Sequence, residues 1–190
     1  MSKYKDQIKA ILKKRQIDAD QVLSIGCAVD DRDYFGAFKC NNFTTLDNDR
    51  EMRPDIIFDM NKSMQTDGGF EIDDRHVGNY SMVLALNLWE YIYAPFEAHR
   101  TIVDFLRHGG LYIGTYPFVY PVHNPAGMDY LRYTPEGVEK LLKTVGLHLE
   151  SHEYILGDQL LEDFYHGEGM KARAGVNHLI VGSVVTARKG

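Results

Sequence analysis

The chain is poor in cysteine, in basic charge and in long apolar runs, and each shortage removes a class of protein. Cys27 and Cys40 are the only cysteines among 190 residues, too few and too far apart for a disulfide framework or a thiolate metal site. No run of about 18 apolar residues exists, so no membrane-spanning helix is expected. The stretch MSKYKDQIKAILKKRQ alternates charges with isolated apolar residues, unlike the continuous apolar core of a signal peptide; a reducing cytoplasm is the expected compartment. Lys and Arg total 21 against 27 Asp and Glu, a formal net charge of −6. The basic cluster Lys13-Lys14-Arg15 stands beside a helix end, where cations complement the helix dipole. Nucleic-acid affinity rests largely on neutralised phosphates, so nucleic acid is not expected as a partner and a small or neutral molecule is.

What is present is an alternation of short apolar runs and helical patterns, with no repeat or linker-like tract. The chain reads as one domain over 1–190: an N-terminal helix over 1–18, a core over 21–147 and C-terminal strands over 148–190. Tyr4, Ile8, Ile11 and Leu12 predict an amphipathic helix over 3–15. Strands are expected at 22–25, 43–46, 55–58, 80–86 and 111–116, with two late ones near 148–155 and 178–186. Tyr34, Phe35 and Phe38 form the buried side of a short helix, and 67–79 reads as an acidic loop. Pro95 opens a helix carrying Phe96, Ile102, Val103 and Leu106 inward, closed by Gly109-Gly110. Thr134-Pro135-Glu136 opens another, with Val138, Leu141, Leu142 and Val145 as its stripe and Gly146 as its stop. A short helix could lie at 160–164. This pattern predicts an α/β fold with a mostly parallel seven-stranded sheet and an antiparallel addition at one edge.

In such sheets ligands bind beyond the carboxyl ends of the strands, where strand order reverses. Gly26 ends the first strand, where the missing Cβ lets backbone approach a ligand. Asp47 ends the second; a carboxylate there can accept two hydrogen bonds from a ribose diol. Asp59 ends the third and could accept from an adenine amine. Acidic residues at strand ends also cap turns, but three in succession favour a site. Trp89, just past Asn87-Leu88, is either a pocket roof or core. His148 and His152 are too far apart along a strand for one metal ion, and no metal is expected.

In order and spacing these segments resemble the class I, Rossmann-like S-adenosylmethionine-dependent methyltransferases over about residues 21–147. VLSIGCA resembles the family's first motif, TLDND its ribose-binding acidic strand end and PDIIFDM its adenine-side strand. YSMVLALNLWEYIYAP resembles the fourth-strand motif, and FLRHGGLYIGTYPF the Gly-Gly strand that follows. YPVHNPAGMDYLRYTPEGVEKLLKTVGL is similar to a subgroup in which His-x-Pro and Asp-Tyr-x-Arg precede a Thr-Pro-Glu-Gly helix. The resemblance implies a three-layer fold and S-adenosylmethionine as cofactor, bound by Gly26, Cys27, Ala28, Asp47, Asn48, Asp59, Met60, Asn87 and Leu88. The sequence departs from the family at Ser24, where an acid is usual, at Ala28 and Asp30, where glycines are usual, and at Tyr91, where His is common.

The implied activity is methyl transfer, most readily to oxygen of a small-molecule or glycan acceptor. His123, between Pro121 and Pro125, is the candidate base; Asp129 could orient it or an acceptor hydroxyl, and Arg132 could orient Asp129 or an anionic substrate group. These three equally suit a structural network holding the 117–133 loop, and Tyr116, Tyr120, Tyr130 and Tyr133 suit either ligand stacking or a packing layer. Two further readings stay open: a methyltransferase fold serving as a non-catalytic binding or scaffold module, and an enzyme using a nicotinamide cofactor, against which the missing glycines count.

Overall fold

The computed structural model describes residues 3–26, 34, 36–66, 69–122, 127–160 and 178–190. Helix α1 spans Lys3–Lys14 with Lys13 and Lys14 in its last turn, and Ile8 and Leu12, one turn apart, are fully buried. Strands β1, Asp18–Ile25, and β2, Lys39–Asp47, extend beyond their apolar cores at the polar ends. Their parallel register runs from Asp18 opposite Lys39 to Ile25 opposite Leu46, so ladder hydrogen bonds carry both strands past the residues that are buried. Strand β3 is only Ile56–Ile57. The stretch expected as loop holds more: part of a two-stranded ribbon, β4 at Gln65–Thr66 with β5 at Gly69–Phe70, and a turn of 3-10 helix at Asp74–His76 capped by the Asp73 side chain. Strand β6, Tyr80–Ala85, is buried along nearly its whole length, as an unalternating apolar run implies.

Helix α2 spans Pro95–Phe105 and buries Ala98, His99, Thr101, Ile102 and Phe105. Phe96 does not point inward: it is 49% exposed, because it stands roughly 200° around the helix from Ala98. Nor do the glycines close α2. Leu106 already has extended backbone (φ −69°, ψ 134°), and Gly109 and Gly110 lie inside strand β7, Leu106–Pro117. The pairing jumps there, from Tyr80 opposite Leu106 to Met82 opposite Leu111. Gly110 fills this irregularity: a Cβ would sit 2.8 Å from the Arg107 carbonyl and 3.0 Å from that of Tyr80. Helix α3, Pro135–Thr144, starts as expected, the Thr134 hydroxyl accepting from the Gly137 amide at 3.1 Å. Strands β8, Leu147–Leu160, and β9, His178–Lys189, complete the sheet; Phe35 and positions 161–164 of the expected short helix lie outside the described residues.

The seven strands lie in the order β3-β2-β1-β6-β7-β9-β8. Strands β3, β2, β1, β6 and β7 are mutually parallel, and β9 is antiparallel to both neighbours, so the outermost β8 runs with the parallel set. Helix α1 covers one face, where Ile8 and Leu12 join Val22, Met82, Ile113 and Val184. Helices α2 and α3 cover the other, Ile102, Phe105, Val138 and Leu142 packing with Leu23, Val83, Tyr112 and Val185. Chain order reverses between β1 and β6, which places a crevice at their carboxyl ends. No helix among the described residues is long and apolar enough to cross a membrane.

Under that crevice lies a polar chain inside the core. Trp89 is fully buried, so it is core and not a roof; its ring stacks on His99 at 3.9 Å between centroids and on Tyr116 at 5.3 Å. The indole N–H donates to the Tyr112 hydroxyl (2.9 Å), Tyr112 and Tyr116 share a hydrogen bond (2.7 Å), and His99 bonds the Tyr116 hydroxyl (2.6 Å) and the Pro95 carbonyl (2.6 Å). An indole only donates and a carbonyl only accepts. Neutral His99 therefore donates from Nδ1 to Pro95 and accepts at Nε2 from Tyr116, which accepts from Tyr112. Burial pushes the His99 pKa from 6.5 down to about 3, against a smaller opposing effect of the Pro95 bond. Protonation would also turn Tyr116 around and strand one phenolic hydrogen.

A depressed folded-state pKa means the unfolded chain takes up the proton first. This stabilisation is complete above the unfolded value of 6.5 and is lost as pH falls toward about 3, at about 1.4 kcal/mol per pH unit. His99→Gln should lower stability near neutral pH by about 1–3 kcal/mol through orphaned partners. Its urea midpoint should then fall less steeply with acid than that of the parent. Equal slopes would assign the acid sensitivity elsewhere.

Candidate functional site

Four neighbouring parallel strands end on one cavity of about 410 Å³, within the size range of small-molecule sites. At the tip of β1, Gly26 takes φ +87° and its amide donates to the Leu46 carbonyl at 2.8 Å. A Cβ there would meet only Leu88 Cδ1 at an ordinary 3.6 Å, so it is the left-handed backbone that calls for glycine. At the tip of β2, Asp47 Oδ1 accepts from the Asp49 amide (2.9 Å) while the Asp47 carbonyl accepts from the Phe58 amide (3.0 Å). Asp49 in turn caps the 3-10 turn Arg50–Met52, accepting from the Glu51 amide. Past β3, Asp59 Oδ1 accepts from the Asn61 amide at 3.0 Å. Past β6, Asn87 holds φ +52°, its amide donating to Thr115 Oγ1 of β7 at 2.7 Å.

The structure brings together Gly26, Asp47, Asn48, Asp59, Met60, Asn87 and Leu88, all of which line this cavity. Cys27, Ala28 and His123 lie outside the described residues. Asp129 and Arg132 are joined to each other and turned to their own loop. Arg132 makes a bidentate pair with Asp129, the Nη2–Oδ2 leg at 2.7 Å, and donates to the carbonyls of Tyr120, Pro121 and Leu131. The Asp129 side chain is only 2% exposed. Of the aromatic segment, Tyr116 and Tyr133 are buried in the layer around Trp89, and Tyr130 lines the cavity.

The far wall joins Tyr91 and Tyr130, both noted in the sequence, to residues that the sequence did not single out. Tyr91, Ile92 and Tyr93 follow β6, Met128 and Tyr130 precede α3, and Met52 tops the turn after β2. Glu90, buried among them, accepts the Tyr130 amide on its carbonyl at 2.7 Å. Tyr91 is pushed up to about 12, by burial first and then by the charges of Glu90 and Asp129, so its phenol stays protonated. Asn61 links the two walls: its Oδ1 accepts from the amides of Tyr93 (2.8 Å) and Ala94 (3.2 Å). The only sequence signal for Asn61 is its place two residues after Asp59, where Asx turns form.

The strand order, the single antiparallel strand and the crevice at the carboxyl ends are those of the class I S-adenosylmethionine-dependent methyltransferase fold, and the chain has that fold. A putative methyltransferase of Bacillus halodurans superposes with a TM-score of 0.68 at 11% identity, covering 96% of this chain and 99% of that one. An S-adenosylmethionine-dependent methyltransferase of Mesorhizobium loti gives 0.64 at 13% identity over 98% of both chains. The 1,6-didemethyltoxoflavin-N1-methyltransferase of Burkholderia thailandensis, solved with that compound and S-adenosylhomocysteine, gives 0.60 at 15% identity over 98% of this chain and 78% of that one. No family model matches this sequence and no curated protein matches it; the likeness is one of fold.

Removing the Asn61 acceptor leaves two backbone amides to find other partners. Asn61→Ala is expected to lose about 1–3 kcal/mol, and Asn61→Asp, which keeps the acceptor oxygen, to lose less than half of that. Chemical denaturation of the three proteins checks it; equal losses would show that the oxygen is not what holds the wall.

Proposed function

We propose that this protein binds S-adenosylmethionine in the 410 Å³ cavity and transfers its methyl group to an oxygen of a small-molecule or glycan acceptor. The observation that carries this reading is the convergence of Gly26, Asp47, Asp59 and Asn87, from four strand ends, on one hollow. The residues fit an adenosine-containing ligand. Asp47 has the carboxylate a ribose diol needs, Asp59 offers an acceptor for an exocyclic amine, and Met60, Phe58 and Ile92 give an apolar floor. The bound cofactor would supply an electrophilic methyl group on a sulfonium, so the chain's own task is chiefly alignment of the acceptor.

Removal of the hydroxyl proton falls to His123 in this proposal. Asp129 and Arg132 act on it indirectly, Arg132 donating to the carbonyls of Tyr120 and Pro121, shortly before His123 in the chain. Tyr91 is not a base at neutral pH, since its pKa near 12 keeps the proton on; it can donate a hydrogen bond. The changes at Ser24, Ala28 and Asp30 favour a second reading, a binding module without catalysis, and Ser24 is indeed buried within β1 where the family has an acid.

Calorimetry with S-adenosylmethionine and S-adenosylhomocysteine tests the proposal. Micromolar affinity is expected for the native chain. Asp47→Ala should bind about tenfold more weakly or worse, the loss of a charge-assisted hydrogen bond, with an unfolding midpoint close to the parent's. Absence of binding at millimolar ligand would end the enzymatic reading. His123→Ala should leave donor affinity intact and, once an acceptor is in hand, lower turnover.

A further inference from the structure

The cavity has two chemically different halves. The inner half is made of the strand ends just described. The outer half is made of Tyr93 and Tyr130, with Met52 and Met128 beside them, and these four are among the large apolar residues left exposed: 60% for Tyr93, 46% for Tyr130 and Met128, 36% for Met52. Scattered surface hydrophobes need no explanation, but four on the rim of one cavity mark a contact surface. They are also held in place. The Tyr93 and Tyr130 rings meet edge to face at 5.5 Å and 86°. The Tyr93 amide is fixed by Asn61 at 2.8 Å and the Tyr130 amide by the Glu90 carbonyl at 2.7 Å. A rigid aromatic pair loses little conformational freedom when a flat guest stacks on it.

Charge separates the guests further. Asp47, Asp49 and Asp59 all line the cavity, and no Lys, Arg or His lines it among the described residues. S-adenosylmethionine carries a sulfonium, an ammonium and one carboxylate, a net single positive charge, so the three carboxylates among the described residues outweigh the charge of the donor. An anionic acceptor would enter against that field, while a neutral or cationic one would not.

We infer that the acceptor is a flat, largely apolar molecule, neutral or cationic at neutral pH, stacked against the Tyr93–Tyr130 pair. This rests on the methyltransferase reading for its role but not for its chemistry, since the aromatic wall and the carboxylates stand whether or not a donor binds. It selects, within the proposed acceptors, a planar small molecule over a glycan.

The test uses three probes of one shape and different charge: naphthol, naphthylmethylammonium and naphthoate, with maltotriose as a glycan. Binding to the full chain is measured by calorimetry with and without S-adenosylhomocysteine. The neutral and cationic probes should bind at least fivefold more tightly than naphthoate and more tightly than maltotriose. Tyr93→Ala and Tyr130→Ala should each weaken naphthol at least threefold with S-adenosylhomocysteine affinity unchanged, and Tyr130→Phe, which keeps the ring, should retain it. Equal binding of naphthoate, preference for maltotriose, indifference to both alanine variants, or failure of every naphthalene probe would overturn the inference. Failure of S-adenosylhomocysteine alone would overturn the donor reading instead, and the order of the probes on the free protein would still decide this one.

Discussion

Trp89 touches three elements at once, β7, α2 and the segment before α3, and these contacts fix the chain that forms one wall of the cavity. Its indole N–H reaches Tyr112 of β7, its ring lies on His99 of α2, and its carbonyl accepts the Tyr133 hydroxyl at 3.2 Å from the segment before α3. Leu88, just before it, and Tyr91, two residues after it, line the cavity. A polar chain this deep is stable only when every member is satisfied, and here one proton arrangement satisfies all of it. That arrangement needs His99 neutral, and burial keeps it neutral. Packing, protonation and the position of the cavity wall are thus one constraint.

The two halves of the cavity are positioned by different means. Gly26, Asp47, Asp59 and Asn87 stand at or just beyond the ends of hydrogen-bonded strands, so the parallel ladder sets their relative places. Tyr93, Met128 and Tyr130 stand on irregular chain; Asn61 fixes the Tyr93 amide, the Glu90 carbonyl the Tyr130 amide, and the two rings pack on each other. Asn61 itself hangs from Asp59, so the outer wall is referenced to the inner one. The alignment of donor and acceptor proposed above would benefit from such a common reference, because errors of about an ångström cost a large part of the advantage of proximity.

Strand cores and strand ends were legible in the sequence because burial on both faces writes a mostly apolar run, broken by one serine each in Val22 to Ile25 and Tyr80 to Leu86, and because the run stops at Gly26 in the first and at Asn87 in the second. The polar halves of β1 and β2 were not, since their ladder bonds use backbone and leave no mark on composition. Gly109-Gly110 looked like a helix stop because that is the commoner use of glycine; its use here, close approach of Gly110 to the Tyr80 carbonyl, is a tertiary fact. Phe96 misled for the opposite reason, an aromatic residue assigned to the core on hydrophobicity when its helical phase turns it out. Nothing in the sequence marks His99 for burial; its partners in space, the Pro95 carbonyl and the Tyr116 hydroxyl, account for it. Asp129 and Arg132 suited a site or a loop tie equally well, because the same charge-assisted pair serves both; what the sequence could not tell is that the guanidinium points at the carbonyls of Tyr120 and Pro121.

The fold and the character of the cavity rim are therefore set at separate levels. Solved methyltransferases share this sheet at 11–15% identity, which is what a constraint on strand order and strand ends, and not on most side chains, would leave behind. A glycine that must hold a positive φ at the end of β1 and carboxylates at the ends of β2 and β3 follow from where the strands stop. The ring pair and the methionines do not follow from the sheet at all; they could be exchanged without disturbing a ladder bond. Tyr93, Tyr130, Met52 and Met128 stand outside the strands of the sheet, and the same four form the exposed rim of the cavity. The rim is placed by contacts that start from the strand ends, as Asn61 does from Asp59, while its aromatic character is a choice the sheet leaves open.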